Sequence, residues 1–232
     1  MIDIHSHIIN DVDDGSTSLD ASISLIKEEI NNGVTDIICT PHYRKNMFET
    51  SLEKIKLNFN ILKNKVQDLN INLFLGQEIY VKSYTMLKEL LFSNKILTMN
   101  NTNYLLLEFS YINKIDIAEI VYNLSLNNYK VIIAHIERYE YLNETLVEEI
   151  VSRGAMIQMN ASSILGKEGF KIKRRCKKYL KKNLVSLVSS DIHETRKNYL
   201  SLSFNYIKKH YGLEKAEELF NNNAKILISK GN

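Results

Sequence analysis

Met1-Ile-Asp-Ile-His-Ser-His7 opens the chain with two imidazoles two residues apart. A β-strand turns alternate side chains to opposite faces, so Asp3, His5 and His7 share one side and Ile2, Ile4 and Ile8 the other. Two imidazoles so placed can converge on one cation. The pattern recurs in Ile37-Ile38-Cys39-Thr40-Pro41-His42, Leu73-Phe74-Leu75-Gly76-Gln77-Glu78 and Tyr104-Leu105-Leu106-Leu107-Glu108. It recurs again in Val131-Ile132-Ile133-Ala134-His135 and in the run from Val185 to Asp191 and His193. A single histidine or glutamate at a strand end is more often solvated or caps the next helix. Six strand ends tipped with hard or borderline ligands are another matter. Carboxylates gathered on one buried rim require compensating positive charge, and a site with several metal ions supplies it.

The elements that must position these groups alternate along the chain. Apolar runs place strands near 1–5, 34–40, 71–77, 103–108, 130–135, 155–160 and 184–190. Helical patterns fill the intervals, at about 19–32, 49–68, 84–92, 115–127, 143–152, 171–182 and 196–210, with a last one near 214–228. Leu19, Ile23, Ile26 and Ile30 form one helical stripe, and Leu52, Ile55, Phe59 and Leu62 another. Strand followed by helix, repeated, predicts βαβ units and a parallel sheet. Seven strands without a break in composition predict a closed α/β barrel, residues 1–232 forming a single domain. Barrel active sites lie at the C-terminal ends of the strands, where the ligands fall.

Composition narrows the class. The chain has 232 residues, 44% hydrophobic and 25% charged, with a net charge of +3. That charge is too small to argue by itself for nucleic acid, and none is expected as a partner. Two cysteines, Cys39 and Cys176, suggest no disulfide framework and a reducing cytoplasm. No apolar stretch is long enough to span a bilayer. The first residues enter a strand at once, which leaves no room for a signal peptide.

Seven motifs carry a resemblance: Met1 to His7, Asp13-Asp14-Gly15, Thr40-Pro41-His42, Gly76-Gln77-Glu78-Ile79, Leu107-Glu108-Phe109, Ile133 to Arg138, and Ser190-Asp191-Ile192-His193. In order and spacing the chain resembles the polymerase-and-histidinol-phosphatase (PHP) superfamily, and within it the bacterial protein-tyrosine phosphatases of capsule and exopolysaccharide operons. The resemblance implies a distorted (β/α)7 TIM-like barrel, the PHP fold. It implies three divalent metal ions, usually manganese, with iron, zinc, cobalt or magnesium as alternatives. The substrate it implies is the phosphorylated tyrosine-rich tail of a membrane-associated bacterial tyrosine kinase that controls polymer export. By the same resemblance His5, His7, Glu78 and Asp191 hold one ion, and Glu78 bridges to a second completed by Glu108 and His135. Asp14, His42 and His193 hold the third.

Charge agrees with a phosphate substrate. Asp14, Glu78, Glu108 and Asp191 offset four of the six positive charges of three divalent ions, leaving an excess matched to a phosphate monoester dianion. The expected chemistry is in-line attack by a metal-bridging hydroxide, with two ions about 3.5–4 Å apart and no phosphoenzyme. Arg138 and Arg196 would be forked donors to the phosphoryl oxygens. Arg196 follows His193 after a shorter gap than the resemblance implies, so the alternatives are that it is displaced, that Arg44 and Lys45 share its work, or that it simply begins the following helix. A phenolate with a pKa of about 10 leaves with little need of a proton, which His42 or His193 could supply if not committed to metal.

Other readings are weaker. Cys39 to Lys45 resembles a cysteine-phosphatase loop, but Lys45 stands where that signature needs arginine. Asp11 to Gly15 resembles a calcium loop with its glycine one residue early. The segment from Lys171 to Lys182 has eight basic residues in twelve. Ile172, Cys176, Tyr179 and Leu180 would pack inward and leave a solvated cationic face, with docking to an acidic partner as the alternative. His210, far from every motif, reads as a surface residue. The functional alternatives are a small-molecule phosphatase acting on a compound like histidinol phosphate, and a non-catalytic regulator that binds the phosphorylated kinase. A metal-dependent amidohydrolase would carry a strand-end lysine where this chain has glutamates.

Overall fold

The computed structural model describes residues 1–229. Its strands in chain order are β1 (Ile2–Ser6), β2 (Asp36–Cys39), β3 (His42–Tyr43), β4 (Asn72–Leu75) and β5 (Glu78–Tyr80). They continue with β6 (Tyr104–Glu108), β7 (Lys130–Ile133), β8 (Met156–Asn160) and β9 (Leu187–Ser189). Every pairing among them is parallel. The order is β1-β2-β4 in one sheet and β3-β5-β6-β7-β8-β9 in the other. These two sheets are one wall. β2 and β3 are a single barrel position interrupted at Thr40-Pro41, and β4 and β5 another, interrupted at Gly76-Gln77. Hydrogen bonds from Gly76 N to Cys39 O (2.8 Å) and Glu78 N to Pro41 O (3.2 Å) carry the pairing across both breaks. Proline has no N–H to give the ladder. At Gly76 an added Cβ would lie 2.9 Å from Met99 Sδ and 3.1 Å from Ile38.

The wall closes where its last strand returns to its first. Asp191 N donates to His5 O and His7 N to Ile192 O, both at 2.9 Å, as a parallel bridge. Seven barrel positions thus follow in sequence order, the distorted α/β barrel expected. Alternation along the strands sorts the core into two layers. Ile4, Ile38, Leu106, Ile132, Ala134 and Leu187 pack together inside, and Met99, Ala224 and Leu227 join them. Ile37, Leu105, Leu107, Val131, Ile133, Ile157 and Val188 face the surrounding helices. Each such buried aliphatic side chain contributes roughly 1.5–3 kcal/mol.

Helices start on sequence signals. Ser18, Ser51, Ser83, Asp116 and Asn143 each accept a backbone N–H from the first turn of the helix that follows. In the helix Leu52–Lys65 the expected stripe holds, with Ile55, Phe59 and Leu62 buried. In Leu19–Asn31 the buried face is rotated to Ser22, Leu25, Ile26 and Glu29. The helix expected at 196–210 begins only at Leu200, because Asn198 takes the N–H of Leu200 on its side chain. The last expected helix is broken into Leu213–Glu217, a wider turn at Glu218–Asn222, and Lys225–Ile228. A short helix, Ala161–Leu165, follows β8 where none was expected and ends at Gly166 with φ +84°.

The alternation assumed for β1 also breaks. Pairing with β2 slips between Asp3 and Ser6. Ile2 and Ile4 go to the inner layer, whereas Asp3 accepts hydrogen bonds from the backbone and hydroxyl of Ser190. Asp3 therefore parts company with His5 and His7. Among the described residues no helix is long and apolar enough to cross a membrane.

Candidate metal centre

Four overlapping groups of donor atoms meet at the C-terminal mouth of the barrel. They are His5–His7–Asp191, His5–Glu78–His135, His42–Glu78–Glu108 and His7–Asp14–His42–His193. The nine residues singled out from sequence all belong to them. Glu78 sits at the middle, within 2.8 Å of His135 Nε2, 2.9 Å of His42 Nδ1, 3.3 Å of His5 Nε2 and 3.4 Å of His7 Nε2. Its Oε2 nevertheless lacks a hydrogen bond of acceptable geometry, as do His42 Nδ1, Glu108 Oε2 and His193 Nε2. Nε2 of His5 lies 3.2 Å from Nε2 of His7. His42 faces two ways, its Nε2 standing 3.6 Å from Asp14. His193 Nε2 lies 3.6 Å from the same carboxylate. Asp14 is 52% exposed and opens this end of the cluster to solvent.

Strained backbone aims two of the donors. His135 has φ +33° at the end of β7, and Asp191 has φ +52° just beyond β9. The left-handed region is costly for residues with a Cβ, so neighbouring contacts must hold them there. Gln158 Oε1 accepts the His135 N–H at 2.6 Å, and Asn160 Nδ2 donates to Asp191 Oδ2 at 2.7 Å. Gln158 Nε2 donates to Asn160 Oδ1 at 2.8 Å, joining the two. Both residues lie on β8, a strand that contributes no donor to the four groups. Sequence reasoning missed them, although two amides at alternate positions in Met-Ile-Gln-Met-Asn were a visible signal of a polar inner face.

Asp13 was missed as well. Its Oδ2 accepts from His7 Nδ1 at 2.7 Å and from the His42 N–H at 2.9 Å, and Oδ1 accepts from Gly15 N at 3.0 Å. Asp13 thus turns Nε2 of His7 toward the centre, while Asp14 joins the group of His7, His42 and His193. A Cβ on Gly15 would lie 2.1 Å from His7 O, so only glycine lets this loop lie on β1. Tyr111 OH donates to Glu108 Oε1 at 2.6 Å.

The comparisons with known proteins bear on this arrangement. The family model described as "Capsular polysaccharide synthesis, CpsB/CapC" matches residues 1–229. The chain belongs to the CpsB/CapC family. A tyrosine-protein phosphatase CpsB from Streptococcus pneumoniae is 39% identical to it over 98% of each chain. One from Streptococcus agalactiae serotype V is 38% identical, again over 98% of each. A chain from the crystal structures of YwqE from Bacillus subtilis and CpsB from Streptococcus pneumoniae, metal-dependent tyrosine phosphatases, superposes with a TM-score of 0.90 at 27% identity. That match covers 98% of the present chain and 94% of the solved one.

In this CpsB/CapC chain seven of the nine donors, all but His5 and His7, line a pocket of about 190 Å³ together with Arg44, Met47, Phe48, Tyr111, Arg138 and Arg196. Arg138 and Arg196 reach Asp191 Oδ2 at 3.3 and 2.7 Å. The short gap after His193 therefore does not displace Arg196, which sits at the mouth, 42% exposed. Arg44 also reaches the wall, its guanidinium 4.3 Å above the Tyr80 ring, while Lys45 is exposed outside it. Burial would raise the Asp191 carboxyl, but His5, Arg138 and Arg196 hold it well below the usual carboxylate range. Burial opposes the fall at Glu78 too, and His5, His42 and His135 override it. Asp14, facing His193 and His42, is lowered to about 2. Burial would lower His5, yet Glu78 and Asp191 raise it, and Asp13 with Glu78 does the same for His7. Burial and the neighbouring His7 lower His193. Asp14, Glu78 and Asp191 are thus held ionised among the imidazoles.

Three sequence features fall outside it. Cys39 is buried in the layer between barrel and helices, where burial pushes its thiol far above the ordinary value. His210 is exposed and packs on Tyr206. The basic helix Phe170–Lys181 buries Cys176, Tyr179 and Leu180, and pairs Lys178 with Glu144 at 2.6 Å. Arg175 from this helix donates to the Glu137 carbonyl, bracing the turn that presents Arg138.

Proposed function

We propose that this chain is a metal-dependent protein-tyrosine phosphatase, residues 1–232 acting as one phosphoesterase domain. The observation that carries the reading is Glu78, a buried carboxylate within 3.4 Å of four imidazole nitrogens. The donor set fits divalent cations. Hard carboxylates and borderline imidazoles converge, and several of their buried atoms approach one another without hydrogen bonds. His5, His7, Glu78 and Asp191 would hold one ion; Glu78, Glu108 and His135 a second; Asp14, His42 and His193 a third. We take manganese as the native metal, with iron, zinc, cobalt or magnesium as alternatives. When bound, such ions polarise a phosphoryl group and activate water for in-line hydrolysis.

The chain's own residues do the rest. Arg138 and Arg196, which now share Asp191, would turn to the phosphoryl oxygens as forked donors. Arg138 is the more fixed of the two, being 17% exposed. Gln158 and Asn160 keep His135 and Asp191 in their strained geometry, so orientation precedes substrate. A tyrosine phenolate leaves with little need of a proton. His42 and His193 serve the third group first, and either would deliver a proton only from a free nitrogen. The substrate we assign is a phosphorylated tyrosine-rich tail of a bacterial tyrosine kinase of a capsule operon, met in the cytoplasm.

Hydrolysis of a phosphotyrosine peptide, histidinol phosphate and p-nitrophenyl phosphate should be followed with manganese, with EDTA, and in His5→Ala and Asp191→Ala. Loss of phosphotyrosine hydrolysis on chelation and in both variants supports the proposal. Activity that survives chelation refutes it. A preference for histidinol phosphate would move the assignment to a small-molecule phosphatase.

A further inference from the structure

Carboxylates, imidazoles and guanidinium groups make up most of the pocket wall; besides Tyr111, whose hydroxyl is taken up by Glu108, its remaining lining comes from one short turn. Arg44 N donates to Phe48 O and Phe48 N to Arg44 O, both at 2.8 Å, and Met47 N donates to Arg44 O at 2.9 Å. Asn46 takes the left-handed position at φ +67°, and Glu49 holds its N–H at 3.0 Å. Four hydrogen bonds make this a built turn that presents Met47 and Phe48 to the pocket. Phe48 stacks on His42, with centroids 5.3 Å apart and planes 10° from parallel. Met47 is 60% exposed at the rim. A lone exposed methionine signifies little. Here it stands beside an aromatic ring in the wall of a cationic and imidazole-lined site.

We infer that Met47 and Phe48 form the wall against which the aryl group of the substrate lies, selecting aryl over alkyl phosphate monoesters. The inference rests on the reading above and deepens it. A phosphoryl group engaged by Arg138 and Arg196 leaves its ester substituent pointing to the mouth, past this turn. Tyrosine places a flat ring there, which gains aromatic contact with Phe48 and thioether contact with Met47. Serine or threonine phosphate offers no such surface. It would also have to bring the peptide backbone a full ring-length closer to the rim. The metal ligands and arginines recognise the phosphate common to all these substrates; the turn recognises what distinguishes tyrosine.

The test is binding rather than turnover. Calorimetry on the manganese-loaded protein measures dissociation constants for phenylphosphonate and methylphosphonate, neither of which is hydrolysed. The unmodified chain should prefer phenylphosphonate by about fivefold or more, as expected for burying part of a ring face. Met47→Ala should remove most of that preference and leave methylphosphonate within about twofold. Phe48→Leu, with its metal content measured, should weaken phenylphosphonate selectively. No preference in the unmodified chain, or equal weakening of both phosphonates in Met47→Ala, overturns the inference. Failure of the broader reading would show differently, as absent phosphotyrosine hydrolysis in a protein that still discriminates between the phosphonates.

Discussion

Gln158 Oε1 lies 3.3 Å from Nδ1 of His5, and through this contact β8 sets the tautomer of the first candidate ligand. With its proton on Nδ1, His5 offers the Nε2 lone pair to the centre. Gln158→Ala should therefore weaken metal binding by about 10–100-fold. Competition with a fluorescent chelator measures this directly. The variant should also lose roughly 1–3 kcal/mol of stability, because the buried His135 N–H is left without its acceptor. Unaltered metal affinity would reduce Gln158 to a core residue.

Metal loading should raise the melting temperature. An ion that binds only the folded chain stabilises it by about 2.7 kcal/mol at 100 times its dissociation constant. Thermal scans with manganese and with EDTA should separate, and the gap should shrink in Asp191→Ala. Coincident scans would argue against a resident metal.

Cys39→Ser should keep most of the phosphatase activity, since the thiol is buried outside the site and held in its protonated form. A loss exceeding about tenfold in kcat with the fold intact would restore a cysteine nucleophile to consideration.

Glu29 gives a pH dependence with a definite sign. Burial, and then the charge of Asp3, hold its carboxyl well above the ordinary value. The folded chain thus keeps a proton that the unfolded chain releases above a pH of about 4.3. Its contribution to stability is full below that pH and is lost as pH rises through the folded pKa. Glu29→Gln should flatten the fall in urea midpoint as pH rises above about 4.3. An unchanged pH profile would exclude Glu29 as its source.

Arg175→Ala should lower activity toward phosphotyrosine and cost about 1–3 kcal/mol, because the Glu137 carbonyl loses its charged donor and the turn bearing Arg138 loosens. Lys177→Ala with Lys181→Ala, both exposed on the same helix, should leave small-substrate activity within about twofold. Selective loss on the phosphorylated kinase would instead make that face a docking surface.

Periodicity along the chain determined the parallel βα architecture, because apolar runs of strand length alternating with helical stripes pack as a parallel sheet covered by helices. Residue type and strand-end position also picked out eight of the nine donors that gather at its mouth, and the family resemblance added Asp14 from the loop after β1. What they could not decide was orientation. The slip in β1 turns Asp3 away from His5, and left-handed backbone aims His135 and Asp191. Gln158, Asn160 and Asp13 fix rings and carboxylates from neighbouring strands and loops. Those contacts join residues as far apart as Gln158 and His5, separated by 153 positions. A hydrogen bond is short and directional, so its partners are set by three-dimensional closure rather than local pattern. The kinds of ligand belong to the sequence; their convergence on Glu78 required the closed barrel.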